Sequence, residues 1–132
     1  MTRRTRRLAF AIYAVALFAA THYPNLRVRV GDIERPDLII HMLAFGGWCT
    51  LLIAAEFFGP WRRYRSLLAA AVVSAIYACF DEFTQGIPFL NRTVGLDDLA
   101  ANLLGVSLVA AGALCAAAIV NRRDSRHERA KH

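Results

Sequence analysis

Seven polar residues sit inside or at the margins of apolar stretches, where an unpaired polar group is costly: His41, Asp81, Glu82, Gln85, Arg92, Asp98 and Asn102. Imidazole and carboxylate groups carry protons near neutral pH, and burial tunes both toward it. His41, Asp81 and Glu82 are therefore the candidate catalytic residues, with His41 and Glu82 as base and acid and Asp81 orienting the imidazole. Gln85, Arg92, Asp98 and Asn102 are the candidate binding residues. The guanidinium suits a phosphate, and the acids and amides suit hydroxyls or amines. One His and no Cys in this set argue against zinc. Clustered carboxylates with a His also suit magnesium or calcium, but no metal is assigned and no cofactor is required. No G-x-S-x-G, Walker loop, H-E-x-x-H or paired-cysteine spacing occurs. Whether the chain is an enzyme stays open.

The elements that must position these groups follow from composition. The 132 residues suffice for one domain. Hydrophobic residues make up 57%, above the usual about 45–50% of a soluble domain. That content excludes a disordered chain. Three cysteines, Cys49, Cys79 and Cys115, each inside an apolar run, do not make a disulfide scaffold. The net charge of +6 is gathered in blocks between apolar stretches, which is a membrane-protein pattern and not a nucleic-acid surface. The spacing predicts an all-α, four-helix transmembrane bundle over 1–121, with helices over about 6–23, 38–58, 66–85 and 98–120. A frayed basic tail over 122–132 follows. The first apolar segment, Leu8 to Tyr23, is about 24 Å long as helix, short for a hydrocarbon core of about 30 Å. Its basic start and apolar core also fit a secretory signal peptide.

Charge sets the orientation. Arg3, Arg4, Arg6, Arg7, Arg62, Arg63, Arg65, Arg122, Arg123, Arg126, Arg129 and Lys131 flank one side of the spans. Only Arg27, Arg29, Arg35 and Arg92 flank the other. Twelve against four predicts both termini in the cytoplasm and a multi-pass protein of the inner (plasma) membrane. His41, Asp81, Glu82, Gln85, Arg92, Asp98 and Asn102 then share the outer level. Helical spacing strengthens this. His41, Phe45, Trp48 and Leu52 share a face, as do Ala70, Ser74, Ala78, Glu82 and Gln85. Asp98, Asn102, Gly105, Val109, Gly112 and Ala116 form a 3.5-period stripe suited to close helix packing. Plainer roles compete. Asp97 or Asp98 would cap the fourth helix, Arg92 would clamp Asp81 or Glu82, and Asn102 would join helices. Glu56 is expected to meet Arg62 or Arg63 on the inner side, outside the site.

The stretch DEFTQGIPFLNRTVGLDDLAANLLG, Asp81 to Gly105, resembles the signature of the VanZ-like membrane proteins. That pattern has D-E-x-x-Q, a later Arg, an Asp six residues on, an Asn four further and a Gly three further. Asp81, Glu82, Gln85, Arg92, Asp98, Asn102 and Gly105 occupy those positions. Upstream, Asp37 and His41 match the family's D-K-x-x-H element. Leu38 stands where the family often has Lys, and Phe45 where it often has Tyr, so no role for those groups carries over. The resemblance covers the second to fourth helices. It implies a small integral membrane protein, and the founding member is linked to resistance to the glycopeptide teicoplanin.

Three functions follow as expectations. The first is an envelope protein that binds the polar head of a membrane lipid or a lipid-linked cell-wall precursor in an outward-facing cleft. The second is an intramembrane enzyme acting on such a head group through His41 and Glu82. The third is a structural or assembly subunit whose polar residues only set helix register. Membrane lipids are the expected partners in all three, a nucleic acid in none, and a homo-oligomer is compatible with each.

Overall fold

A computed structural model describes residues 1–23, 35–86 and 95–129. The regular structure among them is entirely helical: α1 (Arg3–Thr21), α2 (Pro36–Ala54), α3 (Tyr64–Gln85) and α4 (Leu96–Arg129). Local chemistry sets the boundaries. The Thr2 hydroxyl accepts from the Thr5 backbone N–H at 3.2 Å and caps α1. Pro36 opens α2 at a position where its missing N–H costs nothing. The Gly95 carbonyl accepts the first bond of α4, from Leu99 N–H at 3.0 Å.

Two helix ends differ from the sequence expectation by four residues or more, the others by three or fewer. The second helix stops at Ala54 instead of Phe58, because residues 55–58 form a turn with Glu56 at φ +52° and Gly59 follows at φ +114°. A positive φ cannot continue a right-handed helix. The fourth helix does not fray at 121 but runs to Arg129. It is tied down beyond Val120 by Asn121, whose amide donates to the Arg62 carbonyl at 3.2 Å, and by an Arg62–Asp124 ion pair.

α2 and α4 approach most closely. A Cβ built on Gly105 would lie 2.0 Å from the Met42 carbonyl oxygen and 3.1 Å from the Gly46 nitrogen. Only glycine fits there, and the two backbones touch. The core beside this crossing is Leu17, Phe45, Trp48, Cys49, Ala78 and Val106. Trp48 stacks on Tyr77 at 3.9 Å and takes Phe10 edge-on at 4.8 Å. Tyr13 donates to the Ala44 carbonyl at 2.8 Å, locking α1 across α2.

The buried faces of α2 and α3 coincide with the expected stripes, from His41 to Leu52 and from Ala70 to Gln85. On α4 the stripe departs. Asn102 and Gly105 are buried, but Gly112 meets nothing within 4 Å, and burial passes to Val106 and Ala117. Gly112 lies one heptad from Gly105 and within about 20° of its direction, so it is left open because no neighbouring side chain or backbone reaches it there.

At the end holding both chain termini, Glu56 accepts from Arg3 at 3.0 Å and Arg6 at 3.1 Å. It does not meet Arg62 or Arg63 as expected. The turn at residues 55–58 carries it to α1, and Arg62 is taken by Asp124. Partial burial opposes ionisation of Glu56, but the hydrogen bond from Arg3 and the charges of both arginines outweigh it and hold the carboxyl below its ordinary range.

Large apolar side chains cover the outside, among them Leu8, Ile12 and Val15 on α1, Leu68, Val72 and Ile76 on α3, and Leu104, Leu108 and Ile119 on α4. Water-facing surfaces rarely carry such continuous apolar cover. α2, α3 and α4 are long and apolar enough to cross a membrane, as befits a membrane protein. α1 is set apart by four arginines among its first five residues. The crossing makes a measurable statement. Gly105→Ala is expected to cost about 1–3 kcal/mol through overpacking, read as a lower unfolding temperature in detergent, whereas Gly112→Ala, whose Cβ meets open space, keeps or raises that temperature through helix propensity. Equal behaviour of the two variants would remove the close crossing.

Candidate functional site

The other end of the bundle gathers the C-termini of α1 and α3 and the N-termini of α2 and α4. Helix N-termini present free N–H groups and the positive end of the dipole, so carboxylates are stabilised beside them. Asp37 lies in the first turn of α2, and Asp97 and Asp98 in the first turn of α4. Glu82, on α3, reaches across so that its Oε1 accepts from the Gly95 N–H at 2.7 Å. Glu82 thus caps α4. Asp97 and Asp98, expected as the cap, lie inside the first turn instead, because α4 starts at Leu96.

Two polar groups of residues occupy this end. The first joins α2, α3 and α4. His41 Nδ1 lies 3.0 Å from Asn102 Oδ1 in a buried contact. An amide oxygen only accepts, so Nδ1 donates, and in the neutral ring the lone pair is on Nε2. Nε2 is 4.0 Å from Asp98 Oδ2, within ion-pair range but too long for a hydrogen bond. Glu82 lies within electrostatic reach of both Asp98 and His41. Glu82 is 1% exposed and Asn102 0%. Among the described residues six buried polar side-chain atoms have no partner, and three of the six are here: Glu82 Oε2, Asp98 Oδ1 and Asn102 Nδ2.

The second group joins α1 and α3 around Asp81, which is fully buried. Its Oδ1 accepts from Thr21 at 2.8 Å and from Tyr77 at 3.4 Å, and its Oδ2 accepts from Gln85 at 2.9 Å. His22 Nδ1 stands 3.8 Å from Oδ1, and its ring stacks on Phe18 at 4.0 Å. His22 Nε2 is 2.9 Å from the Thr84 hydroxyl.

The structure therefore brings His41, Glu82, Asp98 and Asn102 together and sets Asp81 and Gln85 beside them in a separate network. The expected pairing of Asp81 with His41 is replaced by the pairing of Asn102 with His41. Gln85 spends its amide on Asp81. Arg92 lies outside the described residues.

Three contributors escaped the sequence reading. Arg35 bridges the mouths of α2 and α4, with Asp97 at 3.0 Å, Asp37 at 3.4 Å and Asp98 at 4.0 Å. The hydrogen bonds it donates to Asp97 and then to Asp37 hold its guanidinium more firmly charged than usual. Thr21 and His22 sit at the end of an apolar helix, where the only signal was two polar residues before Pro24. Among the described residues, no group of three His, Cys, Asp or Glu side chains is placed to hold a metal ion.

No family model, no curated protein and no solved structure matches the chain. The site therefore stands on its own geometry. A double-mutant cycle checks it. His41→Ala and Asn102→Ala are expected to couple by about 1 kcal/mol in stability, and His41→Ala with Asp81→Ala by near zero. The opposite ranking would restore Asp81 as the partner of the imidazole.

Proposed function

We propose that this chain is a VanZ-like membrane protein that crosses the plasma membrane four times, with both termini in the cytoplasm. At its outward end it holds the polar head of a lipid or lipid-linked cell-wall precursor. The observation that carries this reading is the placement of three buried, unpartnered polar atoms around His41, at one end of a bundle with apolar flanks. Such atoms cost about 1–3 kcal/mol each unless something meets them. In a bilayer the molecules that deliver polar groups to this depth are lipids. The resemblance of Asp81 to Gly105 to the VanZ-like signature supports the family, and through it a part in glycopeptide resistance.

A second reading is favoured by one contact. Asn102 fixes the His41 tautomer with its lone pair on Nε2, and Glu82 and Asp98 stand close by. That is the arrangement of a general base with acids at hand, and it supports an enzyme acting on the same head group. Glu82→Gln separates the two: binding kept with turnover lost favours the enzyme.

The test of the binding reading is native mass spectrometry of the full chain extracted in mild detergent. The wild type is expected to retain a lipid that the His41→Leu/Asn102→Leu double variant retains about tenfold less. Equal retention by both proteins would overturn the reading. Orientation has its own check. A cysteine placed at position 92, with the three native cysteines replaced, should react with an impermeant thiol reagent in intact cells. A tag after residue 132 should stay protected. Labelling of position 92 only after lysis would reverse the topology.

A further inference from the structure

We infer that the head group recognised at this end carries a primary ammonium beside a phosphate, and that its lipid reaches the site sideways along the seam between α2 and α4. This rests on the head-group reading above and names its ligand class.

The unpartnered atoms define what is missing. Glu82 Oε2 is an acceptor without a donor, Asp98 Oδ1 has no hydrogen bond and only the Arg35 guanidinium at 4.0 Å, and Asn102 Nδ2 is a donor without an acceptor. A primary ammonium carries three N–H donors, enough for both carboxylate oxygens. A quaternary ammonium carries none. The charges at this end also favour a cation: among the described residues the five acids Asp37, Asp81, Glu82, Asp97 and Asp98 stand against Arg35 and the two imidazoles of His22 and His41. A purely anionic head would meet like charge. The phosphate then accepts from Asn102 Nδ2, with Arg35 as its counter-charge at the mouth.

The way in is a groove of about 390 Å³ on the outer flank of the same two helices. Leu38, Ile39 and Met42 line it from α2, and Ala101 and Leu104 from α4, with Asp97 also on its wall. Met42 follows His41, and Ala101 precedes Asn102, so groove and polar group are two sides of one seam. Below, the Gly46–Gly105 contact closes the seam. Above, Arg35 spans it to Asp97 at 3.0 Å. We assign the groove to one acyl chain of the bound lipid. A chain lying there brings its phosphate to Arg35 and its amine to Asp98 and Glu82.

The experiment uses the full chain in mild detergent with phosphatidylethanolamine, phosphatidylcholine and phosphatidylglycerol of matched acyl chains, each titrated under native mass spectrometry. Phosphatidylethanolamine is expected to be retained about tenfold better than the other two. The Glu82→Gln/Asp98→Asn variant should erase that preference. Should the double variant not fold, Asp98→Asn alone, at a partly exposed position, should reduce the preference about threefold. Met42→Trp, which fills the groove, should weaken retention of all three lipids. Equal retention of the three by the wild type, or a preference that survives loss of the carboxylates, would overturn the ammonium assignment. Equal retention that still falls in the His41→Leu/Asn102→Leu variant ends this inference while leaving the head-group reading standing. No retained lipid under any condition ends both.

Discussion

The contact between the backbones of α2 and α4 at Gly46 and Gly105 governs the rest of the bundle. With the Met42 carbonyl filling the space where a Gly105 side chain would be, the two helices meet at the shortest distance available to them. Asn102 lies one turn above Gly105 on the same face, and His41 a little over one turn above Gly46. Their 3.0 Å hydrogen bond follows from that crossing. A larger residue at Gly105 would push the helices apart and carry the imidazole away from the amide. In a bilayer this matters more than in water, because lipid tails are as apolar as the side chains they replace and close packing takes over from the hydrophobic effect as the glue between helices.

Polar contacts secure what packing begins, and they do so at both ends. At one end Glu56 gathers Arg3 and Arg6, while Arg62 reaches Asp124 of α4. At the other, Glu82 caps α4, Arg35 bridges the starts of α2 and α4, and Thr21 donates to Asp81. Neither end is complete: at the first, Arg6 Nε and Arg62 Nε have no hydrogen-bond partner. Glu56 is fully engaged, and the Asp81 oxygens are both met. Around His41 three atoms remain unmet. The neighbouring Asp81 network is internally satisfied, so it acts as a rigid wall that holds α1 and α3 in place beside a polar group that is not satisfied. The two ends differ in kind: the unmet atoms beside His41 include two carboxylate oxygens, and those at the other end are guanidinium N–H groups.

The geometry also explains why acids collect where they do. Both α2 and α4 begin at the polar end, and each brings free N–H groups and a positive dipole end there. Glu82 answers one of those N–H groups directly through Gly95. Asp37, Asp97 and Asp98 sit in first turns, where the dipole favours them. An antiparallel bundle of four helices thus makes the acidic end from its own backbone, and Arg35 supplies the balancing charge at the surface.

Much of this was legible in the order of residues. Apolar runs broken by Pro24, Gly59-Pro60 and Pro88 are enough to expect helices, since proline and glycine end them for local reasons. The burial of His41 with Phe45 and Trp48, and of Ser74 with Ala78 and Glu82, follows from helical periodicity alone. Periodicity failed on α4, where Gly112 is left open, because a stripe tells which residues share a face but not how far a neighbouring helix follows it. The partner of His41 could not be read either. Asp81 and Asn102 each offer an oxygen that can accept from an imidazole, and only the crossing of α2 over α4 puts one of them at 3.0 Å. Arg35, Thr21 and Glu56 make the same point. Helix propensity, span and side are decided between near neighbours in the chain. Who meets whom across sixty residues is decided by interhelical distance and rotation, and those exist only once the helices have packed.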